Sequence, residues 1–293
     1  MAELKVKDQQ MLRIQIRSLI PALAGFLTAI NCPASGFADS VIAYTPGTGF
    51  STGFTNSSAA LGAPTAGVDP FDPPFQKNQI VSLGVGGSLT VQFNTPIQND
   101  PANHAYGLDF AIFGNSGFTI INGNYSGGGI TDGSLFGNNT GSTRVWVSQD
   151  NITYYQLNPA LAPTVDGLFP TDGAGNPSIP VNPALQPGDF AGLGLSGIQN
   201  LYNGSAGGSG YSISWAEDMN GNPVSLSSVD YVRVDVLSGK SEIDAFAIVP
   251  EPSTIAIALC SLALLLSARK TRRMAQRAVA ANIQTGAQEG LSR

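Results

Sequence analysis

Cysteine and histidine are almost absent from this chain of 293 residues, which contains two Cys and one His. Both cysteines lie near the ends, at Cys32 and Cys260, so the segment 39–249 contains none. This absence excludes disulfides, cysteine-ligated zinc and thiol catalysis from the central segment. The single histidine, His104, excludes a zinc site built from several histidines and limits any Ser-His-Asp arrangement to one residue. His104 follows a polar stretch, so we expect a solvated loop side chain.

Basic residues are also scarce in the centre of the chain. Of the 14 Lys and Arg residues, ten lie in residues 1–38 and 250–293. The central segment keeps four basic residues against sixteen acidic ones, a net charge of −12. We therefore expect no nucleic-acid partner, because phosphate binding requires a basic patch. Basic ends around an acidic centre are typical of chains that cross a membrane, since cytoplasmic flanks retain Lys and Arg.

The first 38 residues have the pattern of a secretory signal peptide. Basic residues up to Arg17 precede an apolar helical stretch from Leu19 to Ile30, and small residues follow at Gly36 and Ala38. Small residues at these two positions are typical of a cleavage site, so residues 1–38 are predicted to be removed after Ala38. An uncleaved anchor is the alternative, although the apolar stretch is short for a membrane span.

Residues 250–273 form a second membrane-targeting pattern. Pro250, Glu251 and Pro252 are followed by the apolar stretch Ile255–Ala268 and then by a basic cluster, which consists of Arg269, Lys270, Arg272 and Arg273. Prolines prevent a helix from continuing upstream, and the apolar stretch predicts a transmembrane helix over 255–268. That helix spans about 21 Å of a hydrocarbon core of about 30 Å, which favours a temporary anchor. The basic cluster stops translocation, so the tail 274–293 is predicted to be cytoplasmic.

This arrangement of motif, helix and basic cluster resembles the PEP-CTERM protein-sorting signal of Gram-negative bacteria that produce exopolysaccharide. The resemblance covers residues 249–273 and implies that an exosortase, a membrane enzyme similar to cysteine proteases, cuts near Pro250-Glu251-Pro252. The tail 274–293 departs from the family, whose members usually stop soon after the basic cluster. An ordinary single-span anchor is the alternative.

The residue pattern of the central segment 39–249 predicts a series of strands separated by turn residues, and it shows no helical period. This order predicts an all-β domain in which two antiparallel sheets form a sandwich. Three long loops, at about 114–142, 158–190 and 195–210, are predicted to be excursions of that one domain. The predicted strands are 88–93, 108–113, 144–148, 152–157, 211–215, 229–236 and 242–249.

The hairpin from Val145 to Tyr154 is similar to one in discoidin-like, galactose-binding-like jelly rolls. The segments 214–224, 229–234 and 243–245 are similar to parts of bacterial cell-surface β proteins. These resemblances imply a jelly-roll-like sandwich at the cell surface, and they imply no particular activity.

Candidate chemistry in the central segment is limited to carboxylates and aromatic residues. No Gly-x-Ser-x-Gly motif occurs. Glu217 and Glu242 are the only Glu residues there and the candidates for a glycosidase pair. Trp146 and Trp215 could stack on sugars, but strand positions favour the core for both.

Calcium is the only cofactor for which the sequence offers candidate ligands. Asp218, Asn220 and Asn222 resemble the start of a calcium-binding loop, and oxygen atoms of such side chains suit Ca²⁺. The twelfth position of that loop is Val229, where a bidentate Glu is needed, and Pro223 interrupts it. A hairpin turn is therefore the competing interpretation.

Together these patterns predict an exported, non-enzymatic protein of the cell surface or extracellular matrix, held in the inner membrane during transit. Its expected partners are an exosortase-type enzyme, the membrane and exopolysaccharide. A calcium-assisted carbohydrate-binding module and, less favoured, a glycoside hydrolase are the alternatives.

Overall fold

The structure, a computed structural model, describes residues 36–137 and 141–250. The predicted signal sequence up to Ser35, the helix 255–268, the basic cluster and the tail 274–293 lie outside these residues. No helix within the described ranges is long and apolar enough to cross a membrane.

The elements are β1 (Ser40–Thr45), β2 (Val81–Gly84), β3 (Ser88–Gln98), β4 (Phe110–Gly114), β5 (Gly117–Phe118), β6 (Leu135–Phe136), β7 (Thr143–Ser148), β8 (Tyr155–Leu157), α1 (Leu195–Tyr202), β9 (Ser209–Tyr211), β10 (Ala216–Glu217), β11 (Ser228–Val236) and β12 (Lys240–Ile248).

The larger sheet has six strands in the order β1-β3-β11-β7-β8-β10, and the smaller has four in the order β2-β12-β4-β9. A two-stranded ribbon, β5-β6, lies outside both sheets. All these strand pairs are antiparallel. The all-β, antiparallel class predicted from the sequence is therefore confirmed.

One apolar core joins the two large sheets. Alternate residues of β3 and β11, such as Val91 and Val232, are buried together with Ile112 of β4 and Phe246 of β12. Strict alternation explains this arrangement, because successive side chains of a strand point to opposite faces of the sheet. The opposite face of the six-stranded sheet is therefore left to polar and half-buried residues.

The long loops build a second, smaller core of their own. Phe190 packs against Phe118 with ring centroids 4.7 Å apart, and Tyr202 of α1 meets Phe190 edge to face. Ile198 and Val181 complete the buried part of this cluster. The loops predicted as excursions of one domain thus contain their own elements, including the α1 helix, which the sequence analysis did not predict.

The first residues of the described domain pair with its last strand. Phe37 pairs with Ala247, the Ala38 N–H donates to the Phe246 carbonyl at 3.2 Å, and the Ile248 N–H donates to the Gly36 carbonyl at 2.6 Å. Ala38 is buried. The predicted cleavage after Ala38 would thus remove a segment that pairs with the last strand.

The positions of most predicted strands agree with the structure. Residues 211–215, predicted as one strand, divide into the end of β9 and a 3-10 helix at Ile213–Trp215. The predicted strand 152–157 is a strand only at Tyr155–Leu157. The strands β1, β2, β5, β6 and β10 were not predicted.

Candidate binding face and buried carboxylates

The six-stranded sheet has an outer face, which we define as the side that points away from the shared core. Its central row of residues runs in register across five strands: Thr90 opposite Arg233, Arg233 opposite Trp146, Trp146 opposite Gln156 and Gln156 opposite Glu217. Neighbours such as Val147 and Val232 are buried in the core, so this row must face outward. Tyr231 and Asp235 flank Arg233 on the same face.

Aromatic side chains lie over the centre of the outer face. Trp146 and Tyr231 are each partly exposed, and the Tyr154 hydroxyl donates to Asn151 Oδ1 at 2.6 Å. Burial raises the pKa of Tyr154, and the nearby Arg233 guanidinium opposes this shift. The indole N–H of Trp146 is buried and has no hydrogen-bond partner in the described domain.

Both arginines of the described domain, Arg144 and Arg233, lie on the outer face. Arg233 forms a bidentate pair with Asp235, with Nε and Nη2 at 2.7 and 3.1 Å from the two carboxylate oxygens. Arg144 lies opposite Asp235 in the register and is exposed. Its side chain forms no ion pair or side-chain hydrogen bond within the described ranges. Both guanidinium groups of the described domain therefore lie on one face, together with the carboxylates of Asp235 and Glu217.

Arg144 also borders a cleft at the end of the sandwich. The cleft has a volume of about 260 Å³ and is lined in part by Thr143, Leu157, Pro159 and Leu237. This volume is below that of a typical pocket for a drug-sized ligand, about 300–1,000 Å³. The cleft therefore suits one residue of a larger ligand and not a whole small molecule.

The two glutamates considered as a glycosidase pair lie on opposite sides of the sandwich. Glu217 lies at the edge of the outer face, where its carboxylate accepts from Asn158 Nδ2. Glu242 lies opposite Ser82 in the smaller sheet, on the side away from the core residues Val81 and Leu83. Packed sheets are about 10 Å apart, and both side chains point outward. Their separation therefore exceeds the range of about 5–9.5 Å used by glycosidase carboxylates.

Glu242 is almost fully buried and is held by donors from three parts of the chain. One carboxylate oxygen accepts from the Ser51 hydroxyl and from Lys240 Nζ, the latter at 3.2 Å. The other oxygen accepts from Asn115 Nδ2. Buried charges are stable only when they are paired and hydrogen-bonded, which is the case here. The glutamate thereby anchors the loops at Ser51 and Asn115 to β12.

Asp166 is the second buried carboxyl on this side of the smaller sheet. Burial raises its pKa to about 7, the Ser116 N–H opposes this shift, and the negative charge of Glu242 adds to it. Asp166 has a left-handed φ of 63°, which is uncommon for a residue other than glycine. Its Oδ1 would lie 2.2 Å from a Cβ at Gly114, so only glycine fits there. These features identify Asp166 as a cap for the end of β4.

Asp244 anchors a third loop to β12. Thr65 donates to it twice, from the backbone N–H at 2.9 Å and from the hydroxyl at 2.7 Å. Burial raises the pKa of Asp244 to about 6, although both Thr65 hydrogen bonds oppose the shift. Asp166, Glu242 and Asp244 thus serve the packing of loops on the smaller sheet.

His104 is buried, which contradicts the expectation of a solvated loop residue. Its Nδ1 lies 2.6 Å from Asp109 Oδ1, and Asp109 Oδ2 accepts from the Ile213 N–H at 2.7 Å. The Ser212 hydroxyl donates to Asp109 and not to the imidazole. A catalytic serine must contact the imidazole directly, so this Ser-Asp-His cluster lacks the order of a catalytic triad.

The candidate calcium residues form a tight turn. Asp218 Oδ1 accepts from the backbone N–H groups of Asn220 and Asn222, at 2.8 and 2.9 Å. The Asn222 side-chain amide also donates to Asp218. These contacts lower the pKa of Asp218, with the side-chain bond from Asn222 as the largest cause. No group of three or more His, Cys, Asp or Glu side chains in the described ranges is placed to hold a metal ion.

The start of the predicted sorting motif lies at the end of the described domain. The Val249 N–H donates to the Asp109 carbonyl at 2.9 Å, and the next residue, Pro250, is exposed. Glu251 and Pro252 lie outside the described residues.

The sequence analysis missed the outer face as a candidate site. Trp215 packs against the shared core, as expected of both tryptophans, whereas Trp146 lies on the outer face. The sequence of β7 already indicates this face, because Arg144 and Trp146 alternate with the apolar Val145 and Val147. No protein-family model matches the chain, and no curated protein matches it.

Proposed function

We propose that this chain is an exported, non-enzymatic β-sandwich protein of the cell surface or extracellular matrix, sorted through its C-terminal Pro250-Glu251-Pro252 motif. The observation that carries the proposal is the junction at the end of β12. The last strand ends at Ile248, and Pro250 follows exposed. A processing enzyme could therefore reach the motif without unfolding the domain.

The sandwich is proposed to be of the jelly-roll, discoidin-like type. In support, β7 and β8 form the antiparallel hairpin expected from that resemblance, with Trp146 opposite Gln156 and Val147 opposite Tyr155. Its turn is closed by Asp150, whose carboxylate accepts from the Thr153 N–H at 2.8 Å. The resemblance concerns the fold and the surface location only.

The non-enzymatic part of the proposal is supported by how the carboxylates are used. Glu217 and Glu242 lie on opposite sides of the sandwich, too far apart to act on one glycosidic bond. Both carboxylate oxygens of Glu242 accept hydrogen bonds, from Ser51 and Lys240 on one side and from Asn115 on the other. These bonds hold the loops at Ser51 and Asn115 against β12.

Intact-mass analysis of the protein after export tests the proposal. We expect a product that begins near Asp39 and ends near Pro250. Replacing Pro250 and Pro252 with Ala should leave the C-terminal segment attached, because an exosortase-type partner would no longer recognise it. As a matched control, Pro183→Ala alters an exposed proline within the domain and should leave processing unchanged. Untrimmed chain in the cytosol would overturn the proposal.

A second candidate function is carbohydrate binding, and the outer face favours it. Trp146, Tyr154 and Tyr231 provide aromatic surfaces, while Arg233 and Gln156 provide planar hydrogen-bonding groups beside them. Aromatic rings beside a small number of placed polar groups are typical of ligand sites. The bound ligand would be exopolysaccharide around the cell.

A further inference from the structure

We propose that the outer face binds a carboxylated polysaccharide, a polymer of uronate sugars, at Trp146, Arg233 and Arg144. This inference rests on the proposed export of the domain, and it specifies the ligand class of the carbohydrate-binding candidate. The geometry of one row of the sheet carries it, since Arg233 lies directly opposite Trp146.

The first step concerns charge. The described domain has only two arginines, and the register brings both to this face, with Arg144 two residues from Trp146 on β7. A guanidinium binds a carboxylate through two parallel hydrogen bonds, which lysine cannot do. The rest of the domain is strongly acidic and would repel an anion. An anionic polymer therefore finds its most favourable position on the outer face.

The second step concerns the state of the two arginines. Arg233 is already oriented by Asp235 and keeps 41% of its side chain exposed. The Arg144 side chain is exposed and forms no ion pair or side-chain hydrogen bond within the described ranges. One arginine is thus fixed in place and the other is available for a new partner. A ligand carboxylate could bind Arg144 at no cost to an existing ion pair.

The third step concerns the sugar ring. Trp146 and Tyr231 are partly exposed on neighbouring strands, beside Arg233. Such rings bury apolar area at low entropic cost and offer polar atoms at their edges. The indole N–H of Trp146 is buried, so it is the partly exposed ring, and not this donor, that is available to a sugar.

The fourth step concerns shape. A sheet face is open at both ends, so it accepts an internal segment of a polymer. The cleft that Arg144 borders, with a volume of about 260 Å³, suits a single residue of the chain.

Binding of the exported protein to three carboxylated polysaccharides tests the proposal: polygalacturonate, alginate and hyaluronate, in which uronate residues alternate with an uncharged amino sugar. We expect measurable binding to at least one, and at least about tenfold weaker binding when the carboxylates of that polymer are methyl-esterified. Esterification removes the charge and keeps the ring. Equal binding of ester and acid, or no binding to any of the three, would overturn the proposal.

Variants of the outer face locate the site. We expect Arg144→Gln, Arg233→Gln and Trp146→Ala each to weaken binding about tenfold. Lys77→Gln and Tyr125→Ala are matched controls, because both residues are exposed outside this face, and they should leave binding unchanged. Melting curves of all five variants verify folding. Equal losses in controls and face variants would contradict the assignment.

Asp235→Asn distinguishes a binding role from a structural one. It releases the Arg233 guanidinium from its ion pair, so binding of the polyuronate should strengthen at least about threefold. A purely structural face would lose binding or show no change, and either result counts against the proposal.

Sedimentation of the free protein tests a second copy as the occupant: a dimer abolished by Trp146→Ala would overturn the polysaccharide assignment. Export is scored separately by intact mass, so its failure and the failure of binding remain distinguishable.

Discussion

The imidazole Nδ1 of His104 lies 2.6 Å from Asp109 Oδ1, and both side chains are buried. Asp109 also holds Ile213 through its second oxygen, and its backbone carbonyl accepts from the Val249 N–H. One residue thus connects the loop before β4, the segment after β9 and the exit of the chain toward Pro250. The histidine completes the set of partners for this buried carboxyl.

Asp109→Asn should destabilise the domain by about 1–3 kcal/mol, because the amide nitrogen cannot accept the hydrogen bond that one of the two carboxylate oxygens now accepts. Urea unfolding monitored by circular dichroism measures the loss. Asp72→Asn changes an exposed aspartate and should cost no more than about 0.5 kcal/mol. A loss below about 1 kcal/mol for Asp109→Asn would show that the buried pair contributes little.

Asp166 should make stability depend on pH. Its pKa rises from 3.8 in a model peptide to about 7 in the fold, so the folded state binds this proton more tightly than the unfolded state. The stabilisation is therefore complete below about pH 4 and is lost as the pH rises to about 7. Asp166→Asn should reduce the dependence of the free energy of unfolding on pH across this window. Urea titrations at a series of pH values measure it.

Asp244→Asn serves as the internal comparison for this titration. The Asp244 pKa is raised only to about 6. This variant should therefore reduce the change of the free energy of unfolding with pH below about pH 6 and leave that change unaltered above pH 6. An unchanged slope in Asp166→Asn would refute the titration of Asp166 in this window.

Phe37→Ala should destabilise the domain by about 2 kcal/mol, since Phe37 packs on Ala111, Phe113 and Ala247 and is only partly buried. Thermal unfolding of a chain that retains residues 36–38 measures the effect. Phe75→Ala, at a side chain that is 61% exposed, is the control and should change stability little. Equal effects of the two variants would show that residues 36–38 are dispensable for folding.

Calcium should leave the melting temperature unchanged within about 1 °C, because the oxygen atoms of Asp218 are already used by donors of its own turn. Calorimetry with added Ca²⁺, and again with a chelator, makes the comparison. An increase in melting temperature with Ca²⁺ that Asp218→Asn abolishes would instead establish a calcium site at this turn.

The sequence predicted the strands whose two faces differ. In β7 and β11, valines alternate with polar or larger residues, because one face packs on the core and the other meets solvent. The strand β2 alternates Val81 and Leu83 with Ser82 and Gly84, but it was missed because a pattern of only four residues is weak. The α1 helix was missed because its eight residues, with Gly197 inside, are too few to display a helical period.

The candidate sites depend on contacts that no local pattern contains. The partners of Asp109 include Ile213, which is 104 residues away in the chain. The placement of Arg144, Trp146 and Arg233 on one face follows from alternation, but their proximity follows from the register between β7 and β11. Alternation could have been used to predict the face, whereas the register could not.

The order of strands in the smaller sheet has a consequence for how the chain is made. β12 is the last strand in the described ranges, yet it lies between β2 and β4. The sheet therefore cannot close until the ribosome has delivered residues up to Ile248. A chain of this topology stays without its finished sandwich for most of its synthesis.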